Sequence, residues 1–199
     1  MPAHKDITDP NLHEPKGVAS ASSGMVYTAD GSGSGDWTYP SSGWGYYQDG
    51  GSAQVVNTSD VKITNDGAGS LTDTSHLPLE IRGSGDLWDT TDDKITPIRT
   101  GDVYSIRVDF PITADSGTPT ELTVSFDIGG TGSPTIVIFS RFLVVGKTPP
   151  YTISFGLPLI ALTDTTTTNG VQLFAKVDAG SVTITNPSIT IIRNHDGSV

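Results

Sequence analysis

The sequence predicts an all-β protein, a two-sheet antiparallel sandwich of the jelly-roll type preceded by an extended N-terminal arm. Thr, Ser, Gly and Pro make up 84 of the 199 residues and there are only three Glu, so the composition is poor in helix formers. Several segments alternate apolar and polar residues with a period of two, which is typical of antiparallel strands with one face toward water. No segment shows a helical period. An immunoglobulin-like sandwich is the alternative topology.

Residues 1–37 form the predicted arm and linker. Prolines at positions 10 and 15 favour extended backbone in the residues before them. The run Asp-Gly-Ser-Gly-Ser-Gly at 30–35 is typical of a flexible linker. Such a segment cannot bury enough apolar surface to fold alone, so we expect it to be disordered or to be ordered by a surface on which it lies. The sandwich domain is predicted for residues 38–199.

The clearest strand predictions are 103–110 and 121–128, which alternate throughout. In the first, Tyr104, Ile106, Val108 and Phe110 share one face. Shorter candidates, separated by Gly, Pro, Asn and Asp, lie at 53–57, 61–64, 79–82, 95–98, 151–157, 171–177, 182–185 and 189–193.

The segment 135–145 differs from the other strand candidates because it is apolar on both faces. One interpretation is a central core strand. The other is a strand whose second face is covered by a neighbouring subunit, since an antiparallel sheet normally keeps one face wet.

Charge and composition exclude several classes of protein. The net charge is −11, which opposes binding to the phosphates of nucleic acid. No apolar run approaches the roughly 20 residues of a membrane-spanning helix. Because cysteine is absent, disulfide scaffolds and thiolate metal sites are excluded. We therefore expect neither nucleic acid nor a membrane as a partner.

The sequence contains no recognisable catalytic motif, and we expect no enzymatic activity, no cofactor and no metal. The densest acidic run is 86–93, with Asp86, Asp89, Asp92 and Asp93. A calcium site is one interpretation of this run, but its spacing matches no calcium loop, and a solvated turn is the other. A polysaccharide hydrolase is the weakest alternative, because no pair of carboxylates can be singled out among 19 Asp.

Aromatic residues concentrate among Gly and Ser between positions 37 and 47. Such rings can stack on sugars or on a neighbouring subunit, or they can simply cover the open end of the sandwich. We favour the second interpretation and keep the group as candidate ligand or interface residues. They are Trp37, Tyr39, Trp44, Tyr46 and Tyr47.

Two segments of the arm carry a more specific pattern. Leu-His-Glu-Pro-Lys-Gly at 12–17 is followed by Val-Tyr-Thr-Ala-Asp-Gly-Ser-Gly-Ser-Gly-Asp-Trp at 26–37. This arrangement resembles the N-terminal segments of small virion proteins of tailed bacteriophages, of the capsid decoration (cement) or head-fibre type. The resemblance covers about the first fifth of the chain. It implies that the arm anchors the protein to the capsid through Leu12, His13, Glu14, Pro15, Lys16, Gly17 and Val18.

The resemblance also implies a function, a partner and a location. The expected function is that of a non-enzymatic virion structural protein, a decoration protein bound to the major capsid protein and assembled as a homotrimer. It would be synthesised in the bacterial host cytoplasm and would end on the capsid exterior. The alternative is a head- or tail-fibre protein that binds a host receptor or surface glycan.

Overall fold

A computed structural model describes residues 21–29, 35–38, 42–143 and 151–195. The chain divides into two compact units, Met1–Pro40 and Ser41–Val199. In the first unit, strands β1 (Val26–Ala29) and β2 (Gly35–Thr38) pair antiparallel. The sequence predicted only an extended linker here, because four-residue strands are too short to show a clear alternation. The ring centroids of Tyr27 and Trp37 lie 5.5 Å apart, edge to face, and this cross-strand contact stabilises the pairing.

The second unit contains twelve strands and one short helix among its described residues. The strands are β3 (Gly43–Gln48), β4 (Gln54–Val56), β5 (Val61–Lys62), β6 (Trp88–Asp89), β7 (Lys94–Ile95), β8 (Val103–Ser116), β9 (Glu121–Ile128), β10 (Ile136–Phe142), β11 (Tyr151–Ile160), β12 (Val171–Val177), β13 (Ser181–Ile184) and β14 (Ser188–His195). The helix, α1 (Asp164–Asn169), was not predicted. Its six residues include four Thr, so neither length nor composition gives a helical signal.

Two antiparallel sheets form the sandwich. In the first sheet the main strands run β3–β14–β8–β11, and β13 with β4 lies beside the far end of β8. In the second sheet the order is β10–β9–β12, followed by β5 and β7, which both pair with β12, and by β6. The first and last strands of this unit, β3 and β14, are neighbours, and the chain crosses repeatedly between the sheets. This is jelly-roll topology, and the predicted fold class is confirmed.

The core lies between the two sheets. Tyr104, Ile106, Val108 and Phe110 on β8 are all buried, as their alternation predicts. On β9 the predicted inward residues Leu122, Val124 and Phe126 are buried and Ile128 is half-buried. However, Ser125 and Asp127, which the alternation placed toward water, are buried as well. The Asp127 carboxylate is buried because it accepts hydrogen bonds from the following loop, where the Gly132 amide donates at 2.7 Å.

One strand prediction is wrong. Residues 79–82 form a turn, in which the amides of Ile81 and Arg82 both donate to the carbonyl of Pro78. The Arg82 guanidinium closes the turn by donating to the carbonyl of Leu77 at 2.7 and 3.1 Å. A four-residue apolar stretch directly after a proline does not distinguish a strand from such a turn.

Candidate interaction surfaces

The predicted aromatic residues occupy different environments. Trp37 lies in the first unit and Trp44, Tyr46 and Tyr47 lie on β3 in the second, while Tyr39 lies outside the described residues. The Tyr47 side chain is 1% exposed, and its hydroxyl donates to Asp86 and accepts from the Leu87 amide. Tyr47 is therefore a core residue whose ring is out of reach of a ligand. Trp44 and Tyr46 are half-buried on the opposite side of the strand.

Trp44 is held in place by the loop between β5 and β6. Its ring stacks on the imidazole of His76, with centroids 4.7 Å apart and planes 23° from parallel. The backbone amide of Trp44 also donates to the carbonyl of His76 at 2.8 Å. These contacts fix the orientation of an indole that faces outward from the sandwich.

The outward side chains of β3, β14, β8 and β11 form regular rows across the first sheet, and the three rows that begin at Trp44, Tyr46 and Gln48 are here called the outer face. Ile192 lies opposite Trp44 on one side and Ser105 on the other, and Pro158 lies opposite Ser105. Neighbouring strands are about 4.8 Å apart, so these four residues form one continuous row. The next two rows are Tyr46, Thr190, Arg107 and Gly156, and then Gln48, Ser188, Asp109 and Ser154.

The outer face is almost neutral. Of its twelve positions only Arg107 and Asp109 are charged, and they neutralise each other through two hydrogen bonds of 2.8 and 3.0 Å. The Asp109 contact raises the pKa of Arg107. Partial burial opposes ionisation of Asp109, but Arg107 still holds the pKa of that carboxyl below its usual value. No unpaired charge therefore has to be dehydrated when this face is covered.

The opposite side of the sandwich is charged. Lys62, Lys94 and Lys176 project from β5, β7 and β12 on the outward side of the second sheet. Their ammonium groups pair with carboxylates of the flanking loops. The pairs are Lys62–Asp93 at 3.4 Å, Lys94–Asp92 at 2.8 Å and Lys176–Asp60 at 3.3 Å. This side of the sandwich therefore carries several charges, whereas the outer face carries one neutralised pair, so the two faces differ in character.

A shallow groove of about 430 Å³ crosses the outer face at Gly156. Its walls come from Ile192, Pro158, Thr190 and Arg107. Gly156 lies at the floor, where the absence of a side chain leaves the groove unfilled. Ile192 is 40% exposed. The sequence analysis did not single out Ile192, although the doublet Ile191–Ile192 interrupts the alternation of β14 and thereby places an apolar residue on the wet side.

Strand β10, predicted as part of 135–145, lies at the edge of the second sheet and pairs only with β9 among the described residues. The interpretation as a central core strand is therefore wrong. Val137 and Phe142 are 63% and 79% exposed, whereas Phe139 stacks on Phe155 with ring centroids 4.6 Å apart. An apolar strand edge facing water is a site for association. Residues 144–150 lie outside the described part.

The acidic run at 86–93 borders an open pocket of about 640 Å³, but its carboxylates are engaged within the chain. Asp86 accepts from Tyr47, Asp89 accepts from the Thr91 and Asp92 amides, and Asp93 accepts from the Asn65 amide. The described residues contain no group of three or more His, Cys, Asp and Glu that could hold a metal ion. The Trp88 ring is 1% exposed, so it offers no stacking surface in this pocket.

The seven predicted anchoring residues, 12–18, lie outside the described residues. Their role stays a prediction. Within the described residues, no helix has the length and apolar character needed to span a membrane.

Comparisons with known proteins return little. No protein-family model matches the chain, and no curated protein matches it. Among solved structures, the chain is similar to Eiger TNF from S. frugiperda, with 13% sequence identity and a TM-score of 0.45 over 79% of this chain and 94% of that one. Likeness at this level carries no information about function.

Proposed function

We propose that this chain is a non-enzymatic bacteriophage capsid decoration protein, held on the shell by its N-terminal arm. The observation that carries the proposal is the arm sequence, Leu-His-Glu-Pro-Lys-Gly at 12–17 and the Val26–Trp37 stretch, joined to a β-sandwich. The proposed partner is the major capsid protein, and the proposed location is the capsid exterior.

The residue chemistry of the arm suits anchoring. A segment restricted by Pro10 and Pro15 loses less conformational entropy on docking than a freely flexible one. If the segment docks in an extended conformation, its backbone can add to an exposed sheet edge of the capsid protein. Leu12 and Val18 would then fill small pockets, and Glu14 and Lys16 would pair with charges. In a homotrimer, three arms raise the effective concentration of one another without new contacts in any arm.

The sandwich supports a structural rather than a catalytic role. The Asp86 and Asp89 carboxylates, which border the pocket of about 640 Å³, are engaged by backbone amides, Tyr47 and Lys94. A glycosidase needs one carboxyl group free to donate a proton and another free to attack or to activate water. The engaged carboxylates at 86–93 are poorly suited to either task.

Deletion of residues 2–18 tests the anchor. Purified capsids lacking the protein are mixed with the full chain or with the deletion variant, and binding is measured by co-sedimentation. We expect the deletion to abolish binding while circular dichroism and the melting temperature of the sandwich stay unchanged. The charge reversals Glu14→Lys and Lys16→Glu in the full chain should each weaken binding. Retained binding by the folded deletion variant would rule the anchor out.

The second candidate is a head- or tail-fibre protein that binds a host glycan. The half-buried indole of Trp44, oriented by His76 beside Tyr46, favours it, because aromatic faces stack on sugar rings. A glycan array with the full chain and with Trp44→Ala separates the two functions. Trp44-dependent glycan binding, with a few to a few tens of copies per virion, indicates a fibre. Hundreds of copies without glycan binding indicate decoration.

A further inference from the structure

We propose that copies of this chain associate head to tail, with the β10 edge of one copy packed on the outer face of the next and Phe142 seated in the groove at Gly156. This inference names the surfaces of the proposed homotrimer and rests on that part of the proposed function. Neither surface belongs to the arm.

Charge selects a second copy as the occupant of the outer face. Every copy carries a net charge of −11, so two copies repel unless they meet at neutral surfaces. The outer face is such a surface, since Arg107 and Asp109 neutralise each other. The β10 edge is another, because Arg141 on β10 is balanced by Glu121 of β9, which lies opposite Phe142. The lysine-rich side of the second sheet instead carries solvated ion pairs that would have to be dehydrated.

Shape makes the contact heterologous rather than face to face. The outer face is concave at Gly156, where a groove of about 430 Å³ is walled by Ile192 and Pro158. Two such faces brought together would leave both grooves unfilled, which forfeits packing contacts. Strand β10 offers the convex counterpart, because Phe142 is 79% exposed. A contact between two different surfaces of one chain generates a ring when the rotation closes, and a ring of three gives the proposed trimer.

Gly156 provides a substitution that blocks the groove without disturbing the fold. A Cβ built at Gly156 meets only the carbonyl oxygen of Ile106, at an ordinary contact distance of 3.5 Å. Gly156→Val therefore fits β11 and suits a strand, but its side chain occupies the groove. Phe142→Ala removes the phenyl ring that would enter the groove of the next copy. This ring is 79% exposed within its own copy, so its loss should not disturb the fold. Val55→Asp is the matched control, because Val55 is an apolar residue, 57% exposed, on β4, a strand that belongs to neither surface.

The test measures mass by light scattering for the full chain at micromolar concentration. We expect the natural sequence and Val55→Asp to be trimers, and Gly156→Val and Phe142→Ala to be monomers with unchanged circular dichroism. Mixing the two monomeric variants should restore a one-to-one dimer, because the first keeps an intact Phe142 and the second an intact groove. A monomeric natural sequence, or trimers of both variants, would overturn the proposal. Failure of the mixture to form a dimer would overturn the heterologous arrangement.

Capsid co-sedimentation separates this inference from the proposed function. Monomeric Gly156→Val keeps its arm, so it should still bind capsids, with an affinity reduced at least tenfold by the loss of multivalency. A trimer that depends on Gly156 and Phe142 but does not bind capsids would leave the interface standing and remove the decoration function. If the natural sequence is a monomer and still binds capsids, the proposed interface is wrong and the decoration function stands.

Discussion

Arg193 and Asp102 form a completely buried ion pair that joins β14 to the start of β8. Both side chains are 0% exposed, and Nη2 of Arg193 donates to Oδ1 of Asp102 at 2.7 Å. Arg193 also donates to Glu80, and the Tyr104 hydroxyl donates to Oδ2 of Asp102 at 2.6 Å. The central strands of the first sheet are thus connected at one end by charge as well as by the hydrogen bonds of the sheet.

Asp102→Asn should destabilise the fold by about 3–5 kcal/mol, because it removes the fully buried carboxylate that balances a buried guanidinium and leaves only the partly exposed Glu80 to do so. Burial alone would lower the pKa of Arg193, but the hydrogen bond and charge of Asp102 raise it above the ordinary value, so the group stays ionised. Urea unfolding at neutral pH measures the loss. The control is Lys176→Ala, which breaks the exposed Lys176–Asp60 pair and should cost at most about 1 kcal/mol. Equal losses in the two variants would contradict the prediction.

Asp178 should make the sandwich sensitive to acid. Its carboxylate accepts from the Thr120 hydroxyl and from the amides of Glu121 and Thr120 at 2.9 and 2.8 Å, and these hydrogen bonds lower its pKa from 3.8 to about 2. A lowered pKa in the folded state contributes stability above pH 3.8 that is lost as the pH falls toward 2. The stability difference between the natural sequence and Asp178→Asn should therefore shrink over that interval.

Melting temperatures measured through the acid range check this dependence. Thr120→Val provides the matched control, because it removes only the hydroxyl donor and should move the loss of stability to a higher pH. A difference between the natural sequence and Asp178→Asn that stays constant from pH 3.8 to 2 would show that Asp178 does not titrate as described.

The sequence predicts the sandwich because the information lies in local alternation. The inward residues of β8, Tyr104 to Phe110, follow the period of two and are all buried. Arg193 could not be predicted as a core residue, since an arginine at the end of a strand is usually exposed. Its burial depends on Asp102 and Glu80, which are 91 and 113 residues away in the chain.

The sequence predicted the candidate surfaces only in part, because part of the information again lies in contacts between distant segments. The two-sided apolar character of 135–145 correctly marked an unusual strand, but only the pairing of β10 with β9 places it at a sheet edge. The groove at Gly156 depends on the register of three strands, which brings Pro158, Ser105 and Ile192 into one row. Nothing in the local sequence of any one strand specifies that register.

Two buried tyrosines should make the fold sensitive to alkali. Burial raises the pKa of Tyr47 and of Tyr104 well above 10, and hydrogen bonds to Asp86 and Asp102 raise them further. A raised pKa in the folded state stabilises below pH 10 and loses that contribution as the pH rises further. Tyr47→Phe and Tyr104→Phe should each make stability fall less steeply above pH 10, as measured by denaturant unfolding. Phe110→Leu, which changes the same core without removing a titrating group, provides the control and should leave the slope unchanged.

Asn65 should be a sensitive polar position in the loops of the sandwich. Its side chain is 0% exposed, and its amide donates to the carbonyls of Tyr47 and Pro187 at 3.1 and 3.0 Å while its oxygen accepts from the Gly67 amide at 2.9 Å. Asn65→Ala leaves these buried groups short of partners and should cost about 1–3 kcal/mol. Asn57→Ala, which removes an exposed hydrogen bond to Ser59, is the control and should cost less than about 1 kcal/mol.

Asn65→Asp distinguishes the donor role of Asn65 from simple filling of space. The substitution preserves the shape and the acceptor for Gly67 but replaces the amide donors with a carboxylate that faces the carbonyls of Tyr47 and Pro187. At neutral pH it should therefore destabilise more than Asn65→Ala, because a buried negative charge lies beside two acceptors. At acid pH the protonated carboxyl can donate to one carbonyl, so the difference between Asn65→Asp and Asn65→Ala should narrow. Equal stability of the two variants at neutral pH would mean that Asn65 only fills space.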